Sequence, residues 1–136
     1  MKALLTREKI LAADDMRQER LEVPEWGGDV IVRGLTGEQR DRFENSLWKG
    51  RGKQRIVVST NMRAKFVALS VVDDKGKLLF APADVLALSA KSAKGLDRIF
   101  AKAQELSGIS DEDVAELEGN LGSGPTEDST SDSPLP

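Results

Sequence analysis

Between Leu96 and Leu106 the apolar residues recur at helical spacing. Leu96, Ile99, Phe100, Ala103 and Leu106 form one stripe, and Lys94, Asp97, Arg98, Lys102 and Glu105 take the other faces. Ser92 can accept from the first unbonded amides, and Gly108 can adopt the left-handed conformation that ends a helix. The pattern predicts an amphipathic helix of about four turns within Lys91–Gly108. Its stripe needs a surface to lie on, because burying one Leu, Ile or Phe contributes about 1.5–3 kcal/mol.

The earlier chain alternates between strand and helix patterns. Thr6 is placed to cap a short first helix carrying Ile10 and Leu11, which fades at Asp14–Asp15. Arg20–Trp26 reads as an edge strand interrupted by Pro24, and Gly27–Gly28 as a two-residue turn. Asp29–Arg33 returns with Val30 and Val32 on one face and Ile31 on the other, completing a β-hairpin. Thr36 and Gln39 have the spacing of a capping box, and the helix they open is expected to reach Trp48 with Phe43 and Leu47 one turn apart. Lys49–Arg55, with two glycines and four bases, reads as a mobile basic loop.

Thr60 or Asn61 is expected to cap a third helix whose broad apolar face carries Met62, Phe66, Val67, Leu69 and Val71. Asp73-Asp74-Lys75-Gly76 between apolar runs predicts a tight turn or second short hairpin. Pro82 suits the first turn of a short helix over Ala83–Ser89, with Val85, Leu86 and Leu88. Ser110 caps a last short helix with Val114 and Leu117 inward. These patterns give an α+β fold, a mostly helical small domain with an N-terminal β-hairpin, over residues 1–118. Residues 119–136, rich in Gly, Ser, Pro and acids, carry too little apolar surface to offset ordering entropy and read as a disordered tail.

Composition narrows the chemistry. The chain has 136 residues, enough for one domain, and contains no cysteine, histidine or tyrosine. The usual neutral-pH base and the nitrogen and sulfur ligands of zinc or copper are therefore missing, and a non-enzymatic protein without cofactor or metal is expected. No stretch is long or apolar enough to span a membrane, and the start lacks the pattern of a signal peptide. The net charge of −3 lies in the tail, where Glu127, Asp128 and Asp132 have no basic partner. Asn45–Val72, by contrast, holds six bases and no acid.

Two acidic groups invite a metal reading and do not sustain it. Asp111-Glu112-Asp113 sits at a helix start, where acids offset the dipole, and Asp73–Asp74 lacks the spaced oxygens of a calcium loop. The basic run Lys49–Lys65 beside Trp48 is the best case for nucleic acid. Yet the domain is not basic overall, the aromatics are not interleaved with the bases, and Gly50-x-Gly52 does not follow a strand as a phosphate cradle would.

Three blocks in order, VPEWGGDVIVRGLTGEQRDRFE, NMRAKFVALSVVDDKGKLLF and ADVLALSAKSAKGLDRIFAKAQELSGISDEDVAELEGN, resemble the tail assembly chaperones of long-tailed, siphovirus-type bacteriophages. The resemblance covers about Leu4 to Asn120, and the basic loop Lys49–Arg55 departs from the pattern, so no role carries over to it. It implies a chaperone that binds the tape measure protein in the cytoplasm of the infected host. There it keeps that long helical chain soluble and extended while the tail tube assembles, and it is absent from the mature virion. It also implies a longer, frameshifted form that recruits tail tube protein. The chain is expected either to assemble along its client as a monomer or to self-associate.

Candidate partner contacts are Trp48, Met62, Phe66, Leu96, Ile99 and Phe100. The competing readings are a structural tail or head–tail connector protein and, more weakly, a nucleic-acid-binding regulator acting through Lys49–Arg55.

Overall fold

The computed structural model describes residues 2–50, 52–54, 56–58 and 60–116. Leu117 and the tail from residue 119, expected as the end of a helix and a disordered segment, lie outside the described residues. Within the described residues the chain is α+β, as its pattern predicts. In chain order the elements are α1 (Arg7–Ala12), β1 (Gln18–Val23), β2 (Gly28–Arg33), α2 (Gly37–Ser46), β3 (Trp48–Lys49), β4 (Ile56–Val57), α3 (Met62–Ser70), β5 (Val71–Val72), α4 (Val85–Ser89) and α5 (Ala93–Ser107). Residues 111–116 form a further helical turn.

The N-terminal hairpin is present, with β1 and β2 antiparallel from Gln18 opposite Arg33 to Val23 opposite Gly28. Its connection differs from the expected two-residue turn. Pro24–Trp26 form a 3₁₀ turn and Gly27 closes it at φ 74°, so four residues join the strands. Proline at the first turn position needs no amide partner, and this favours the 3₁₀ start over an extension of β1. β5 pairs with the other side of β2, giving an antiparallel sheet in the order β1-β2-β5. The turn after β5 is held by Asp73, whose Oδ1 accepts from the amides of Lys75 (2.8 Å) and Lys77 (3.0 Å). Val72 then bridges to Leu78, which makes the second hairpin short but real.

α5 is the element around which the domain packs. Ser92 Oγ accepts from the Gly95 amide at 3.3 Å. At the other end Gly108 stands at φ 71°, and the amides of Gly108 and Ile109 reach back to Glu105 and Gln104 in the Schellman pattern. The whole predicted stripe is buried against α3, β1 and β2, with Ile99 fully inaccessible. Beside the stripe, α5 is also tied to the hairpin by ion pairs. Arg98 donates from Nε and Nη2 to the two carboxylate oxygens of Glu25 (3.1 and 2.9 Å), and Lys102 reaches Glu19 at 3.2 Å.

The Arg98 fork and the local backbone hold the Glu25 carboxyl below its ordinary value. A depressed folded-state value stabilises the fold above the unfolded carboxylate range, about pH 4.3 for glutamate, and the contribution is lost as pH falls through the folded value. Glu25→Gln should therefore lower thermal stability at pH 7 and converge on the parent in strong acid. Melting curves between pH 7 and 2 check this; parallel curves would contradict it.

Other expectations are adjusted by packing. The capping box at α2 is formed in both directions, Gln39 amide to Thr36 Oγ1 (3.1 Å) and Thr36 amide to Gln39 Oε1 (3.0 Å). α2 stops at Ser46, however, because Trp48 leaves the helix to pair with Val57 in a two-stranded ribbon, β3 with β4. Lys49, read as the start of a plain basic loop, thus lies in a strand, and Gly52–Gln54 form a 3₁₀ turn ahead of β4. Asn61 does precede α3, but at φ 60° and with no side-chain capping bond. α3 ends before Val71, which the sheet claims as part of β5. Thr6 caps α1 as expected, accepting from the Lys9 amide at 3.2 Å. Ile10 and Leu11 on that helix, however, remain exposed, and α1 has no buried residue.

Candidate functional site: an apolar cleft with an acidic rim

Three phenylalanines from three helices meet beneath the surface. Phe66 of α3 stands edge-on to Phe43 of α2 (centroids 5.0 Å, 81°) and to Phe100 of α5 (5.2 Å, 75°). Edge-to-face pairs place the positive ring edge over the negative face, adding about 0.5–1.5 kcal/mol each to their area burial. Above them the surface opens into a cleft of about 420 Å³. Phe43, Met62, Phe66, Phe100 and Ile109 form its floor, Trp48 and Val114 its walls, and Arg40, Glu44, Asp113 and Glu116 its rim. This volume is within the range, about 300–1,000 Å³, of ligand clefts.

The elements place these groups for local reasons. β3 begins where α2 ends and turns Trp48 toward the cleft, leaving it 40 % exposed. Ile109 is the residue after the αL glycine, the position whose side chain a Schellman motif folds back on its helix. The turn at 111–116 is set by a reciprocal cap, with the Ser110 amide donating to Asp113 Oδ2 (3.0 Å) and the Asp113 amide to Ser110 Oγ (3.0 Å). That cap brings Val114 over the cleft. Both Ser110 contacts, with a smaller contribution from Arg40, hold the Asp113 carboxyl below its usual range, so it is an anion at neutral pH. Arg40 pairs with Glu44 at 3.4 Å. The rim as a whole is acidic, three carboxylates against one guanidinium.

Four of the six predicted contact residues come together here: Trp48, Met62, Phe66 and Phe100. Leu96 and Ile99 do not line the cleft; they are buried in the core on the stripe of α5. Phe43, Ile109 and Val114 complete the site without having been singled out as contacts. Phe43 carried a signal as the apolar residue of a capped helix, and Ile109 as the apolar residue after Gly108. Nothing in the spacing of Val114 distinguished a cleft wall from ordinary core.

Two bases at the end of the basic run, Arg63 and Lys65, are engaged with protein groups. Arg63 lies over the Phe100 ring at 5.5 Å and pairs with Asp97 at 2.7 Å, and Lys65 Nζ donates to the Ser46 carbonyl at 3.0 Å. Among the described residues there is no group of three or more metal-ligating acids, and no helix is long and apolar enough to cross a membrane.

An α+β domain of this kind, with an apolar cleft among its helices, has the makings of a binding protein. Residues 6–120 match the sequence profile of the phage tail assembly chaperones, and the chain belongs to that family. Its fold is similar to that of the tail assembly chaperone of bacteriophage HK97, with a TM-score of 0.54 over 76% of this chain and 95% of that one at 17% identity. No curated protein matches the sequence closely enough to count as a relative. A tail assembly chaperone acts in the host while phage tails are being built.

Proposed function

We propose that the chain binds the tape measure protein of its phage, holding it soluble and extended until the tail tube closes around it. The observation that carries this reading is the open cleft over the Phe43–Phe66–Phe100 cluster, with Trp48 and Val114 presented at its walls. A cleft of this shape accepts aliphatic side chains from one face of a client helix. Trp48 and Val114 offer its accessible contacts, with Met62, Phe66 and Phe100 forming the floor beneath a client side chain, while Leu96 and Ile99 hold α5 in place behind them. One cleft gives modest affinity, and many copies along one long client add through effective concentration.

On this reading the domain is residues 1–118, residues 119–136 are a linker-like tail, and the chain works in the host cytoplasm without entering the virion. A longer frameshifted form would bring tail tube protein to the same client. Nucleic acid is a poor occupant, because an acidic rim repels phosphate.

Co-expression with fragments of the tape measure protein tests the reading. Fragments that aggregate alone should stay soluble and co-purify with the chain. Trp48→Ala should weaken that binding by about 2 kcal/mol, roughly thirtyfold, as truncation of an interfacial tryptophan does. Val114→Glu, at a half-buried wall that also packs against the core, should weaken it further and lower the melting temperature modestly, the chain remaining folded. Equal retention by parent and both variants would rule the cleft out.

A further inference from the structure

We propose that the cleft selects its client by charge as well as by apolarity, taking helical segments whose aliphatic stripe is bordered by lysine or arginine; this selection rests on the cleft being the client site. An apolar floor alone would accept any aliphatic helix face, because burial of apolar surface has no direction. The surroundings of the floor do have a sign. Among the described residues lining the cleft, Glu44, Asp113 and Glu116 are acidic and Arg40 is basic. Arg40 is paired with Glu44 at 3.4 Å, so Asp113 and Glu116 set the charge of the rim.

Both belong to the turn at 111–116, which also supplies the Val114 wall and contains four acids and no base. Asp113 is committed in part to its cap with Ser110. Glu116 is exposed and has no partner among the described residues, a carboxylate standing at the lip of an apolar opening. The nearby bases do not neutralise it: Arg63 pairs with Asp97 at 2.7 Å, and Lys65 donates to the Ser46 carbonyl at 3.0 Å.

Helix geometry says what fits such a lip. Side chains at i and i+4 are neighbours about 5–6 Å apart, so an aliphatic pair enters one opening and the residues beside it face the rim. Lysine and arginine lay an apolar stem along such a wall and hold the charged head clear of it. A lysine beside the stripe would cover Val114 with its stem and meet Glu116 with its ammonium group. A glutamate there brings a shorter stem and a like charge. On a long client with many aliphatic faces, the rim thus chooses where the chain settles.

Two helical model peptides of identical composition test this. Each has a leucine stripe; one borders it with lysines and puts glutamates on the far face, and the other exchanges them. Full-length chain carrying 5-fluorotryptophan reports binding, with the Trp48 signal assigned by Trp48→Phe. The lysine-bordered peptide should move that signal and bind about tenfold tighter, close to two exposed ion pairs. The preference should fade from about 0.01 M to 1 M salt, as the screening length falls from about 30 Å to 3 Å. Glu116→Lys should abolish most of it, whereas Asp15→Lys, an equal charge change outside the cleft, should keep it.

Equal affinities at every salt concentration, or tighter binding of the glutamate-bordered peptide, would overturn the selection and leave the cleft standing as a client site. A preference that survives Glu116→Lys would remove the rim as its source. No movement of Trp48 with either peptide would sink the cleft as a helix site and the selection with it. A peptide preference with no tape measure fragment retained would keep the selectivity and sink the client reading.

Discussion

Phe66→Ala is expected to lower folding stability by about 3–5 kcal/mol, the cost of deleting a buried aromatic ring and leaving its cavity. The ring is almost fully inaccessible and stands edge-on to both Phe43 and Phe100. Collapse around the cavity is hindered, because each neighbour belongs to a different helix and moving one opens a gap at another. A domain of this size has about 5–15 kcal/mol in hand, so the variant should approach the edge of folding. Urea unfolding followed by far-UV circular dichroism measures the loss, and Phe66→Leu should recover more than half of it. A loss below about 1 kcal/mol would mean that the three rings do not form one packed unit.

Gly34→Ala is the second large effect, and it acts through backbone. A Cβ on Gly34 would stand 2.5 Å from the Leu106 carbonyl oxygen and 2.9 Å from its carbon. Neither can swing aside as a side-chain tip could. The strand end is also pinned, with the Gly34 amide donating to the Arg17 carbonyl (3.0 Å) and the Leu35 amide to Ser107 Oγ (2.9 Å). Relief requires β2 and the end of α5 to separate, and overpacking of this kind costs about 1–3 kcal/mol. Gly37, three residues on, provides the internal control. Nothing lies within 4 Å of its added Cβ, so Gly37→Ala should be neutral or stabilise by about 0.4–1 kcal/mol through the unfolded chain. Paired denaturation curves decide it; equal stabilities for the two variants would contradict the close approach.

What could be foreseen in this chain was whatever local chemistry decides. The stripe and both caps of α5, the reciprocal cap at Thr36 and the alternation of Val30, Ile31 and Val32 each need only a few neighbouring residues. They are present in the structure. The elements that escaped are those that distant partners decide. β5 was foreseen as one arm of the short second hairpin, but its pairing along the edge of β2 was not. β3 and β4 are too short for any period to show, and the glycines and bases between them look like loop.

The same holds for the site. Trp48, Met62, Phe66 and Phe100 could be proposed from their apolar faces, but a pattern cannot tell a stripe sealed in the core from one opening on a cleft. That distinction arises from how three helices meet, which is why Leu96 and Ile99, equally apolar, ended behind the cleft instead of in it. Gly34 carried no visible signal at all, since its constraint is a carbonyl 72 residues away in sequence.

Photo-crosslinking tests the use of the cleft most directly. A benzoylphenylalanine at position 114, on the wall, should join to the co-expressed tape measure protein in lysates of producing cells. The same group at Leu86, exposed on α4 but outside the cleft, should not. Adducts at 86 with none at 114 would place the client elsewhere on the domain.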